Sequence, residues 1–64
     1  MEFRKLGSNQ QDPIAVYFDN GKKVGELEYD SSWNVWQFVR MEKVRLQWQY
    51  LYEMAEYVKR LPTM

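Results

Sequence analysis

The side chains best suited to chemistry in this sequence are carboxylates. Glu53 and Glu56 stand three apart, a spacing that puts two acids on one helix face, where one could donate and the other accept a proton. Glu26, Glu28 and Asp30 alternate along a candidate strand and form a row of oxygens that suits a hard cation. Neither arrangement comes with the partners its chemistry needs. The chain of 64 residues contains no His and no Cys, so the commonest general base and the best nucleophile are both missing. The ordinary ligands of zinc, iron–sulfur clusters and haem are missing with them. Ser8, Ser31 and Ser32 fall in polar turn contexts, and Gly7, Gly21 and Gly25 match no phosphate-binding fingerprint. The acids read better as solvated charge on an outer helix face and as blunting of a sheet edge. The sequence predicts no enzyme, no metal site and no cofactor.

A second chemistry is the stacking of bases. Trp33 and Trp36 lie close in sequence to Arg40, Lys43 and Arg45, and aromatic rings beside cations can hold single-stranded nucleic acid. Residues 31–64 carry five basic and three acidic side chains, against four and six in residues 1–30. Phosphate binding normally draws on a denser basic stripe, and Glu42 interrupts this one. Overall, nine basic and nine acidic side chains cancel, so no global field draws the chain to nucleic acid or to an anionic membrane. A small nucleic-acid-binding domain is therefore the alternative reading.

These residues must be carried by a single small domain, residues 1–64, whose core is marginal at this length. Without cysteine or metal, stability has to come from aromatic packing and association. Three Trp, five Tyr, three Phe and four Met supply the material. Residues 1–13 are polar, end in Asn9-Gln10-Gln11-Asp12-Pro13, and read as an N-terminal arm or loop that Phe3 and Leu6 could anchor. Residues 14–40 read as antiparallel sheet. Ile14–Phe18 and Val24–Tyr29 are β-branched and aromatic, and Asn20-Gly21 between them suits a two-residue type I′ turn. That turn sets Phe18 against Lys23, Tyr17 against Val24, Val16 against Gly25, Ala15 against Glu26 and Ile14 against Leu27. The face with Ile14, Val16, Phe18, Leu27 and Tyr29 is the better core, and Gly25 leaves room for a large side chain close to the backbone. The other face, with Tyr17 and Val24, is expected to be half wet. Trp33–Arg40 fits a third strand of a meander, with a helix capped at Ser31 or Ser32 as the alternative.

Residues 41–61 carry two competing periods. Val44, Leu46, Trp48, Tyr50 and Tyr52 alternate as in a strand, while two sets recur at helical spacing up to Leu61. The helical reading covers the whole stretch, so a helix of about 20 residues, roughly 30 Å long, is expected, stopped by Pro62. The predicted fold is α+β: a β-hairpin or three-stranded antiparallel meander followed by one long C-terminal helix.

This helix carries the functional signal. One seam is Val44, Trp48, Leu51, Ala55 and Val58, and a second is Leu46, Tyr50, Met54, Tyr57 and Leu61. Together they make an apolar arc about 200° wide, where about 100° suffices for a helix packed on one core. A small sheet covers one seam, which leaves the other for a partner chain. Trp48, Tyr50, Met54 and Tyr57, with Leu46, Leu61 and Trp36 beside them, are the expected contacts, since Tyr, Trp and Met are enriched in interface cores. The expected function is a small non-enzymatic protein-interaction module that homodimerises or docks on a larger protein. As an accessory subunit or inhibitor it would resemble the miniature binders that phage and other mobile elements encode. No apolar run is long enough to span a membrane, and the polar start lacks a signal-peptide core, so the expected location is cytoplasmic.

Overall fold

The computed structural model describes residues 1–61. It is an α+β fold: four strands, β1 (Glu2–Lys5), β2 (Ile14–Tyr17), β3 (Lys23–Asp30) and β4 (Val35–Arg40), precede one helix, α1 (Trp48–Lys59). The strands form one antiparallel meander in the order β1-β2-β3-β4. No helix among the described residues is long and apolar enough to cross a membrane.

The central hairpin differs from expectation at its turn and agrees with it beyond. The Gly21 N–H donates to the Phe18 carbonyl, and the Phe18 N–H donates to the Lys22 carbonyl, both at 2.9 Å. The loop is therefore Asp19-Asn20-Gly21, and only Gly21 has positive φ, at +89°. A type I′ turn needs Asn20 there too. Instead the Asn20 side chain accepts the Lys22 N–H at 3.0 Å, and the loop is a type I turn closed by a left-handed glycine. The added loop residue shifts Tyr17 onto Lys23, and a bulge then restores the pairs Val16–Gly25, Ala15–Glu26 and Ile14–Leu27. Val24 is the residue the bulge re-aims, and it is fully buried in the core rather than half wet.

The first thirteen residues are more than an arm. Glu2–Lys5 pairs in register with Ile14–Tyr17 as β1, and the return is closed by the Leu6 N–H on the Pro13 carbonyl at 2.9 Å. Asp12 folds the connecting loop by accepting the Asn9 N–H at 3.0 Å. The third predicted strand is β4. It starts at Val35 because Asn34, at φ +55°, completes the turn that Asp30 opens.

The core sits between the inner sheet face and α1, and consists of Ile14, Val16, Val24, Leu27, Val44 and Met54. The helix begins at Trp48, not Met41. Lys43 adopts φ +66°, which no helix continues through, and Val44 turns into the core. The Arg40 guanidinium donates to the Val44 carbonyl at 3.0 Å, and the chain runs without regular structure to Gln47, the N-cap, which is extended at φ −76° and ψ 156°. The strand-like alternation thus holds over residues 44–47 and gives way to the helical period at Trp48. Helix α1 ends at Lys59, and Pro62, the expected stop, lies outside the described residues.

Candidate interaction surface

Aromatic contacts fix which side of α1 meets the sheet. Phe3 of β1 stacks on Tyr57 with centroids 4.0 Å apart and planes 8° from parallel. Phe18, at the end of β2, meets Tyr50 edge-on at 5.2 Å and 67°. With Met54 buried between these anchors, the seam of Tyr50, Met54, Tyr57 and Leu61 faces inward. Of the seven expected contact residues, Met54 is in this chain's own core, Leu46, Tyr57, Leu61 and Trp36 pack against it, and Tyr50 meets it through Phe18.

Of the other seam, Val44 is buried and Val58 packs against the core, while Trp48, Leu51 and Ala55 face outward. Trp48 is 72% exposed, Tyr52 63% and Leu51 50%, and Ala55 completes the stripe at helical spacing. This side of α1 runs into an open groove of roughly 450 Å³ between the helix and the last strand. Trp36 and Phe38 of β4 form one wall, Leu51, Ala55 and Val58 the other, and Leu27 lies at its base. Of the expected set, Trp48 and Trp36 belong to this surface. Leu51, Tyr52, Ala55 and Val58 were not among the expected contacts, although the first seam already grouped Leu51, Ala55 and Val58 with Trp48. Two seams of similar apolarity give no means of choosing between them until the sheet's own aromatics are placed.

The groove wall is held in place from the sheet. Trp36 packs edge-on against Tyr29 at 5.5 Å and 70°, and the Tyr29 hydroxyl donates to Asn34 Oδ1 at 3.0 Å. Phe38 lies over Gly25, where an added Cβ would come within 2.9 Å of the ring. At the β3–β4 turn, Asp30 accepts from the Ser32 hydroxyl at 2.8 Å, the Ser32 N–H at 2.9 Å and the Gln37 amide at 2.8 Å. These donors, the Ser32 hydroxyl foremost, hold its carboxyl below the usual carboxylate range.

The residues of the alternative reading do not converge. Trp33, 76% exposed, sits at the β3–β4 turn. Arg40 is at the opposite end of β4, about 20 Å away at the rise of an extended chain. Its guanidinium is engaged by Val44, while Lys43 and Arg45 lie on the following loop, Arg45 beside Asp19 and Tyr50 in a shallow hollow. Trp36 is turned into the groove. The carboxylates are dispersed as well. Glu26 takes the Lys23 ammonium at 2.7 Å, a bond that raises the lysine's pKa, and Asp30 is committed to its turn. Among the described residues no three acidic side chains gather to hold a metal. Glu53 and Glu56 lie on α1 beside Tyr57 and Arg60, lining a shallow surface hollow.

Compared with family models, curated proteins and solved structures, the chain matches none.

Proposed function

We propose that this chain is a non-enzymatic protein-interaction module that binds through the outward seam of α1 and the adjoining groove. The observation that carries this reading is the exposure of Trp48, Leu51 and Tyr52 along a helix whose opposite side already builds the core. Contiguous apolar patches beyond a few hundred Å² are rare on monomers and mark binding sites. Trp and Tyr are also the side chains that most often dominate binding energy when a partner desolvates them. On this reading Trp48 and Leu51 are the anchors, and Trp36 and Phe38 shape the pocket that receives the partner. On this reading the module acts in the cytoplasm as an accessory subunit, or as an inhibitor that occludes a larger protein's surface.

The test is a double substitution confined to the exposed seam. Trp48→Ser with Leu51→Ser should leave the far-UV circular dichroism and the unfolding midpoint close to those of the parent, because neither side chain is in the core cluster. It should abolish the parent's association with a different protein retained from lysate. Equal association by parent and variant would remove the helix seam as the binding surface.

A further inference from the structure

The sheet has two edges, and they are built differently. β1 is four residues long and carries Glu2, Arg4 and Lys5, with Glu2 and Arg4 in an ion pair along the strand. Charge on a short strand is how a sheet edge is kept from pairing with another chain. β4 is six residues long, pairs with β3 without a bulge, and has neither charge nor proline before Arg40. Apart from Gln37, the side chains before Arg40 are apolar on both faces. Val35 and Val39 are 46% and 47% exposed on the outer face, while Trp36 and Phe38 line the groove on the inner one.

The ladder defines which backbone groups this edge offers. The Met41 N–H donates to the Val24 carbonyl at 2.9 Å, in the same register as the β3–β4 pairs. Hydrogen-bonded and non-hydrogen-bonded pairs alternate along an antiparallel ladder, so Val35, Gln37 and Val39 direct their N–H and C=O groups at β3. Trp36 and Phe38 direct theirs at the open edge.

We propose that β4 pairs antiparallel with β4 of a second copy of this chain, about a two-fold axis at Gln37, to make one continuous sheet across the dimer. The inference rests on the binding reading above and names its partner. Its warrant is self-complementarity. Centred on Gln37, the pairing sets Val35 against the other copy's Val39 on the outer face and Trp36 against Phe38 on the inner one. The two Gln37 residues face each other on the axis, each keeping the amide bond it donates to Asp30. Trp36 and Phe38 exchange N–H and C=O groups with Phe38 and Trp36 across the new ladder. No like charges oppose, and the net charge of zero puts no repulsion between copies. A standard interface takes roughly 800 Å² from each partner, about a sixth of the 5020 Å² that this chain exposes. The edge strand and the groove beside it lie together on the side where that area would be buried.

The absence of cysteine makes the register directly testable. Gln37→Cys places the new thiols in a non-hydrogen-bonded pair, where Cα atoms lie about 4.5 Å apart, within disulfide range. Mild oxidation should yield a disulfide-linked dimer, whereas Glu28→Cys, on the same face of the neighbouring strand, should stay unlinked. Light scattering of the parent should approach twice the 7.9 kDa of one chain as concentration rises. Val35→Lys with Val39→Lys should return the monomer mass. In the monomer those lysines lie beside Asp30 and Glu26, so folding is spared, but across the axis they oppose each other. Val35→Lys with Val39→Glu should restore the dimer when Glu26→Gln is added to remove the like charge that the new glutamate would meet on β3. A parent that stays at one-chain mass, a Glu28→Cys variant that links as readily as Gln37→Cys, or a charge-swapped pair no better than the double lysine would each overturn the proposal. The Trp48→Ser and Leu51→Ser experiment reads the helix seam separately, so that either idea can fail alone.

Discussion

At the scale of single residues, the chain shows how much depends on small side chains and on backbone sign. Gly25 faces Val16 on one side and Arg40 on the other, and an added methyl would run into the Val39 carbonyl and the Phe38 ring. Gly25→Ala should therefore destabilise the fold by about 1–3 kcal/mol, the cost of overpacking a site that cannot yield. A fall in the urea midpoint with unchanged slope would report it, and an unchanged midpoint would mean that β4 has slack to move. The sequence marks this position, since a lone glycine in a strand pattern signals a close approach. It gives no such mark to Lys43, whose left-handed backbone at φ +66° redirects the chain ahead of the helix. Lysine has no special claim to that conformation, so only the packing of Val44 explains it.

At the scale of elements, the β3–β4 turn is the one whose stability should follow pH. Asp30 titrates below the usual carboxylate range because the folded turn donates three hydrogen bonds to its ionised form. The unfolded chain takes up this proton at a higher pH. The stabilisation is thus complete above the unfolded value of about 4, and is lost as pH falls through the folded one. Following the Ser32 amide by NMR on acidification should give a midpoint below that of a free aspartate, and Asp30→Asn should flatten the response. A midpoint at the free value would deny Asp30 its part in the turn. The elements were unequally legible for physical reasons. The β2–β3 pairing could be read because Ile14–Phe18 and Val24–Tyr29 flank an Asn-Gly, and the bulge restored its register after the loop took a third residue. β1 could not, because in four residues Phe3 alone faces inward and its stacking partner, Tyr57, lies at the far end of the chain. The helix start was hidden by overlapping periods, since Val44 and Leu46 satisfy both. Which seam faces outward was hidden by symmetry, because Trp48 and Leu51 look as fit for a core as Tyr50 and Met54.

At the scale of the whole molecule, the fold has too little interior for its apolar content. Among the described residues seven hydrophobic side chains are buried, while Trp33, Trp48, Leu51 and Tyr52 are half or more exposed. A pairing of two chains places part of that surface out of water, and so couples folding to concentration. When the folded form is a dimer and the unfolded form is not, each tenfold rise in protein adds about 1.4 kcal/mol per dimer, or about 0.7 kcal/mol per chain. For a domain of this size, 1 kcal/mol moves the midpoint by roughly 4–8 °C. Thermal unfolding followed by circular dichroism at two concentrations a decade apart should therefore differ by about 3–6 °C in the parent. Val35→Lys with Val39→Lys should melt at one temperature at both concentrations, because a monomer has no mass-action term. A parent midpoint that ignores concentration would show that one chain's core is sufficient, and that the exposed apolar surface is held ready for a different protein.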